Sequence, residues 1–157
     1  MIAVAWIFSS VVLIVVGLLR AAGASLVRTP RADAARDAAE GDRRAKIVAE
    51  LLDERPRLQP ALGATLTILM VVAAVPASWA LTRTLEGWSL AGGLALLSLV
   101  LVLGGDLIPR AAGRNRPLWL AYRLSRLLRA AIAFGDAAAD LIADLDDEEE
   151  EAAGNAG

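Results

Sequence analysis

The feature that most restricts this chain is a set of three long stretches without a single ionisable side chain: residues 2–19 (IAVAWIFSSVVLIVVGLL), 58–82 (LQPALGATLTILMVVAAVPASWALT) and 87–105 (GWSLAGGLALLSLVLVLGG). A helix rises about 1.5 Å per residue, so roughly 20 apolar residues cross a hydrocarbon core about 30 Å thick. Each stretch is read as a membrane-spanning helix. The chain is 57% hydrophobic with positive mean hydropathy, which agrees with that class. Ala22 and Ala24 resemble a signal-cleavage site, but no basic residue precedes the apolar run and the run is long for a signal, so a retained span is expected. Cysteine and histidine are both absent, excluding disulfides, thiolate metal sites and any reaction that needs an imidazole base. With no Gly-rich phosphate loop ahead of a helix, a soluble enzyme is the least favoured class. The chain is expected not to be an enzyme and not to bind nucleic acid.

Charge placement supplies the topology. Fifteen of the sixteen Lys and Arg fall in two blocks, 20–57 and 110–129, and only Arg83 lies between the second and third apolar stretches. Basic residues are retained on the cytoplasmic side of a membrane. The expectation is a multi-pass protein of the cell membrane, N-terminus outside and C-terminus inside. The spans then cover about 2–27, 58–82 and 87–109. Between the first two, residues 32–56 read as a cytoplasmic helical hairpin: Gly41 interrupts, and Ile47, Val48, Leu51 and Leu52 form one apolar face up to Pro56.

After the third span, residues 117–140 place Leu120, Leu124, Leu127, Leu128, Ala131 and Ile132 on one face and Arg123, Arg126 and Arg129 on the other. That pattern predicts an amphipathic juxtamembrane helix lying along the inner leaflet, with Trp119 and Tyr122 at headgroup depth; packing on protein is the alternative. Residues 141–157 form an acidic, then small and polar, tail that reads as a frayed helix passing into disorder. The predicted fold is thus an all-α membrane protein in which residues 1–140 form one transmembrane domain.

Two ionisable groups fall within or beside the spans, Asp106 and Arg20. Such groups cost roughly 2.5–3.5 kcal/mol at a helix centre on insertion scales, so they mark sites by default. Both lie toward the inner end of their spans, and the second span brings Gly63, Ala64 and Thr65 to similar depth. Pro109 has no N–H for the carbonyl four residues back, which frees the Gly105 carbonyl. A carboxylate with free carbonyls suits a hard cation such as magnesium or calcium. Spacing alone leaves other readings open: Asp106 pairing with Arg110, and Arg20 extending to inner headgroups.

The order of an inner hairpin containing AEGDRRAKIVAELLDERPRL, a second span opening LGATLTI and a third ending GGDLIPRAAGRNRP resembles the membrane domain of the CorC/CNNM (cyclin M) magnesium transporter family over roughly residues 3–140. The family's G-E-I-x-P-K signature is matched by Gly105, Asp106, Leu107, Ile108, Pro109 and Arg110. The resemblance implies a dimer in the lipid bilayer, homomeric or formed with a CNNM/CorC-type relative, that takes part in magnesium transport or efflux. It implies a magnesium site at Asp106 and Gly105, with Gly63 and Thr65 from the second span and Pro109 and Arg110 as motif backbone. The signature glutamate becomes the shorter Asp106, and the family's Gly-Asn pair becomes Gly63 and Ala64. Counting back without gaps from Glu40, the serine of the first-span S-G-x-E-T motif falls on Arg20 and its glutamate on Gly23. A cation ligand has thereby become a cation. The expectation is a degenerate site with weak or absent magnesium binding, in which Arg20 and Asp106 form an ion pair that mimics the metal. No CBS-domain pair is present, so nucleotide binding in this chain is not expected. The alternative function is a non-transporting membrane partner or scaffold for a full-length CBS-containing relative.

Overall fold

The computed structural model describes residues 1–115 and 117–154, with side chains for 1–54, 58–115 and 118–141. All regular structure among the described residues is helical: α1 (Ile2–Arg28), α2 (Arg31–Ala39), α3 (Arg43–Asp53), α4 (Arg55–Thr82), α5 (Gly87–Val102), a π-helical turn (Leu103–Leu107), α6 (Ile108–Asn115), α7 (Pro117–Arg123) and α8 (Ser125–Gly154). Three segments are long and apolar enough to cross a membrane, Ile2–Arg28, Leu58–Thr82 and Gly87–Asn115, the last running continuously through α5, the π turn and α6. Side chains such as Val4, Ile7, Val11, Ile14, Val71, Val75, Leu96, Leu99 and Val102 are exposed on these segments, as expected where lipid is the solvent.

Local chemistry sets the boundaries. α1 ends where Thr29 adopts an extended conformation ahead of Pro30, which disfavours helical backbone in its predecessor. The buried hydroxyls there are satisfied along the helix, Ser25 donating to the Ala22 carbonyl at 2.7 Å and Thr29 to the Ser25 carbonyl at 3.0 Å. The Glu40-Gly41-Asp42 segment is the turn of the hairpin. Gly41 takes a positive φ of 99°, and the Asp42 carboxylate caps α3 by accepting from the Arg44 N–H at 2.7 Å. α4 begins before the second span, carries Pro56 in its first turn and continues through Pro60 and Pro76.

One hydrophobic core joins the hairpin to the spans. Val48, Leu51 and Leu52 of α3 pack with Ala22 and Leu26 of α1, Leu58 and Ala61 of α4, Ala121 of α7, and Leu128 and Ile132 of α8. The apolar face of the juxtamembrane helix packs on α3 and α4, the alternative that the sequence pattern left open. The Tyr122 hydroxyl donates to the Asp37 carboxylate at 2.7 Å and ties α7 to the hairpin. Trp119 is exposed and stacks under the Arg123 guanidinium, 5.3 Å from ring centre to Cζ. Arg129 pairs with Glu50 and Arg31 with Asp53. The backbone of the acidic stretch is helical to Gly154, and residues 155–157 of the expected disordered tail lie outside the described residues.

Tyr122 yields a prediction with a defined sign. Burial first, then the hydrogen bond to Asp37 and the charges of Asp37, Asp42 and Asp33, push its hydroxyl above the usual tyrosine range. A phenol with a raised folded-state pKa stays protonated after the unfolded chain has ionised. Its contribution is complete below about pH 10 and is lost as pH rises beyond that. Tyr122→Phe is expected to cost about 1–2 kcal/mol at neutral pH and to flatten the alkaline loss of stability, measured by unfolding in mixed micelles.

Candidate functional site

The site is built where α1, α4 and the π turn meet. α1 and the α5–α6 segment run parallel, as a ladder of close approaches shows. Leu13 lies against Gly104 and Gly105, Gly17 against Pro109, and Ala21 against Gly113. A Cβ on Gly17 would sit 3.2 Å from the Pro109 ring and 3.4 Å from the Gly104 carbonyl, and one on Gly113 would meet the Ala21 backbone. Small residues at these positions let the backbones come together, the usual device of helix packing in lipid.

The π turn sets the direction of Asp106. Its wide register closes through the Ile108 N–H onto the Leu103 carbonyl, five residues back. Inserted turns of this kind concentrate at functional sites. The next residue, Pro109, has no N–H to give. In the four-residue register assumed from sequence the carbonyl deprived of a donor is Gly105; in the five-residue register it is Gly104, which faces Gly17. Gly105 itself is buried, and a Cβ there would meet Met70 of α4 and Leu13 of α1.

Arg20 and Asp106 are brought together. Arg20 Nε lies 3.0 Å from Asp106 Oδ1, and an Arg110 terminal nitrogen lies 3.2 Å from the same oxygen. Neither N–H is aligned as a hydrogen bond to Oδ1, so these are charge contacts without directed bonding. The pair is partly sheltered, with side-chain exposures of 30% for Arg20 and 27% for Asp106. Asp106 thus faces two guanidiniums, and the alternatives left open by spacing, pairing with Arg110 and pairing with Arg20, coexist in one cluster.

The second span contributes differently from its two named positions. Gly63 lines an open cavity with Arg20 and Arg110, but has no side-chain oxygen to offer. Thr65 is buried and turned toward α8, its hydroxyl 2.6 Å from the Ala131 carbonyl and 3.0 Å from that of Ala61. Beside it Gly135 lets α8 approach α4 so closely that a Cβ would meet the Ala61 backbone. Thr65 therefore joins α4 to α8 in this structure, its hydroxyl placed against the Ala61 and Ala131 carbonyls. Among the described residues no group of three or more acidic, His or Cys side chains is placed to hold a metal ion.

A family model for the cyclin M (CNNM) transmembrane N-terminal domain matches residues 7–136. The chain belongs to the CNNM family. Among curated proteins and solved structures, no significant match was found. The CNNM match covers the three spans, the hairpin and most of the juxtamembrane helix, and so includes Arg20, Gly63, Thr65, Asp106 and Pro109. It places the chain in a family of membrane cation-transport domains, and the apolar helices place it in a lipid bilayer as a multi-pass protein.

Several residues that shape this CNNM site escaped the sequence reading. Gly17 and Ala21 have a small-xxx-small spacing that could have marked the helix contact. Gly113 and Gly135 had no distinguishing signal among thirteen glycines. Arg28, Arg114 and Gln59, which line the cavity beside Arg20, were legible only as positive charge or as a polar residue at span ends.

Proposed function

We propose that this chain is a CNNM-type membrane domain serving divalent-cation transport, with magnesium as substrate, in which the guanidinium of Arg20 takes the cation's place beside Asp106. The observation that carries this reading is the 3.0 Å contact between Arg20 Nε and Asp106 Oδ1. The donor chemistry agrees. Magnesium asks for near-octahedral oxygen ligands, some anionic, and here Asp106 supplies one carboxylate, already facing two cations, while Gly63 supplies none and Thr65 is engaged elsewhere. Two charges that neutralise each other also relieve a burial cost that either alone would carry. The site is degenerate in this reading, and cation entry requires Arg20 to withdraw from Asp106. The orientation that fits the basic loops is N-terminus outside and C-terminus in the cytoplasm of a cell-membrane dimer.

Magnesium flux into liposomes holding the purified chain tests the proposal. Arg20→Ser is expected to raise flux above the parent by about tenfold or more, and adding Asp106→Ala to return it to the empty-liposome level. The double engagement of Asp106 by Arg20 and Arg110 favours one second reading, a non-transporting partner that regulates a CBS-containing relative. If parent and Arg20→Ser both stay at the empty-liposome level, the transport reading fails and the partner reading stands.

A further inference from the structure

We infer that the arginine-lined cavity beside Asp106 is a binding site for the phosphate group of an anionic phospholipid. The cavity, about 570 Å³, lies between α1, α4 and α6 and is lined by Arg20, Arg28, Arg110 and Arg114 together with Gln59. Among the described residues no Asp or Glu lines it. Arg20 and Arg110 share the single carboxylate of Asp106. Among the described residues Arg28 and Arg114 have no carboxylate within ion-pairing distance. Four guanidiniums facing one cavity, balanced by one carboxylate, constitute an anion site by charge alone, and guanidinium forks match phosphate oxygens bidentately.

The cavity's surroundings select a lipid over a soluble phosphate. Arg28 and Arg114 stand at the ends of their spans, close to headgroup depth, and Arg20 and Arg110 stand deeper on the same two helices. Basic pockets between membrane helices on the side bearing the basic loops are sites for anionic headgroups. A second cavity, about 300 Å³, shares Arg20 and Leu66 with the first and is otherwise mainly apolar, lined by Val16, Met70, Val71 and Ala74 with Thr67, whose hydroxyl bonds back to the Gly63 carbonyl of its own helix. A polar chamber at headgroup depth continuing into an apolar groove along the spans matches a phosphate head with an acyl chain attached. The inference concerns Arg28 and Arg114, which are not paired with Asp106, as well as Arg20 and Arg110, which are, so it stands whether or not magnesium is carried.

Native mass spectrometry of the full chain released from micelles, with phosphatidylglycerol and phosphatidylcholine as competing probes, tests the site. The parent is expected to retain phosphatidylglycerol in preference, and Arg28→Gln/Arg114→Gln to lose that preference by about tenfold or more. Arg28→Lys/Arg114→Lys, which keeps the charge, should retain most of it. Arg123→Gln/Arg126→Gln, which removes two exposed charges after the third span and outside the cavity, should leave it unchanged. An equal loss in that control pair, or no loss in Arg28→Gln/Arg114→Gln, overturns the inference, since binding would then reflect general surface charge. Inorganic phosphate at millimolar concentration displacing the lipid completely overturns the choice of a lipid. The unfolding midpoint of each variant, measured in the same micelles, separates lost binding from lost fold.

Discussion

Replacing Asp106 by Ala is expected to destabilise the membrane domain by about 2 kcal/mol, because it leaves the buried Nε of Arg20 without its facing carboxylate. The cost arises from the cation left behind. Arg110 is half exposed and can turn to the headgroups, whereas Arg20 sits between the α1 backbone and the π turn with its Nε buried. The double variant Arg20→Leu/Asp106→Ala is therefore expected to recover to within about 1 kcal/mol of the parent, since removing both charges removes the penalty. Unfolding in mixed micelles through the four members of the cycle measures the coupling. A double variant whose loss equals the sum of the two single losses would mean that the two side chains are neighbours without energetic connection.

The second large effect lies in the helix ladder. Gly113→Val places a branched side chain where even a Cβ meets the Ala21 backbone, and neither partner is a flexible side chain that can move aside. The helices must separate, which withdraws the Pro109–Gly17 contact and moves Asp106 away from Arg20. A loss of about 3 kcal/mol is expected, at the upper end of overpacking costs, together with weaker coupling in the cycle above. Gly92→Val serves as the comparison. A Cβ at Gly92 meets nothing within 4 Å, so that variant should unfold close to the parent. Equal losses at Gly92 and Gly113 would show that helix propensity, and not the close approach, governs both.

These expectations rest on parts of the molecule that were unequally legible in the sequence. The spans were readable because long uncharged stretches suit a bilayer, and the apolar helical segments of the structure, Ile2–Arg28, Leu58–Thr82 and Gly87–Asn115, contain them. The hairpin was readable because Gly41 and Asp42 carry a positive-φ turn and a helix cap in their side-chain chemistry. The juxtamembrane helix shows the limit of such reasoning. Its apolar face was correctly located at Leu124, Leu128 and Ile132, but periodicity says which face avoids water and not what covers it, and the cover is α3 and α4. The π turn was hidden for a different reason. One inserted residue changes a register without changing composition, so Gly104-Gly105 announced close packing but not the rotation that directs Asp106. Thr65 shared depth with Asp106, yet depth is one coordinate, and its direction was set by the glycine at 135 on a helix seventy residues away.

The most direct test of the central claim is magnesium binding to Arg20→Ser in detergent, compared with the parent by isothermal titration. Removing the guanidinium withdraws a positive charge from the immediate neighbourhood of Asp106 and supplies a hydroxyl oxygen in its place. Binding tighter than the parent's by about tenfold or more is expected, and Asp106→Ala in the same background should abolish it. Equal magnesium binding by Arg20→Ser and the parent would contradict the account.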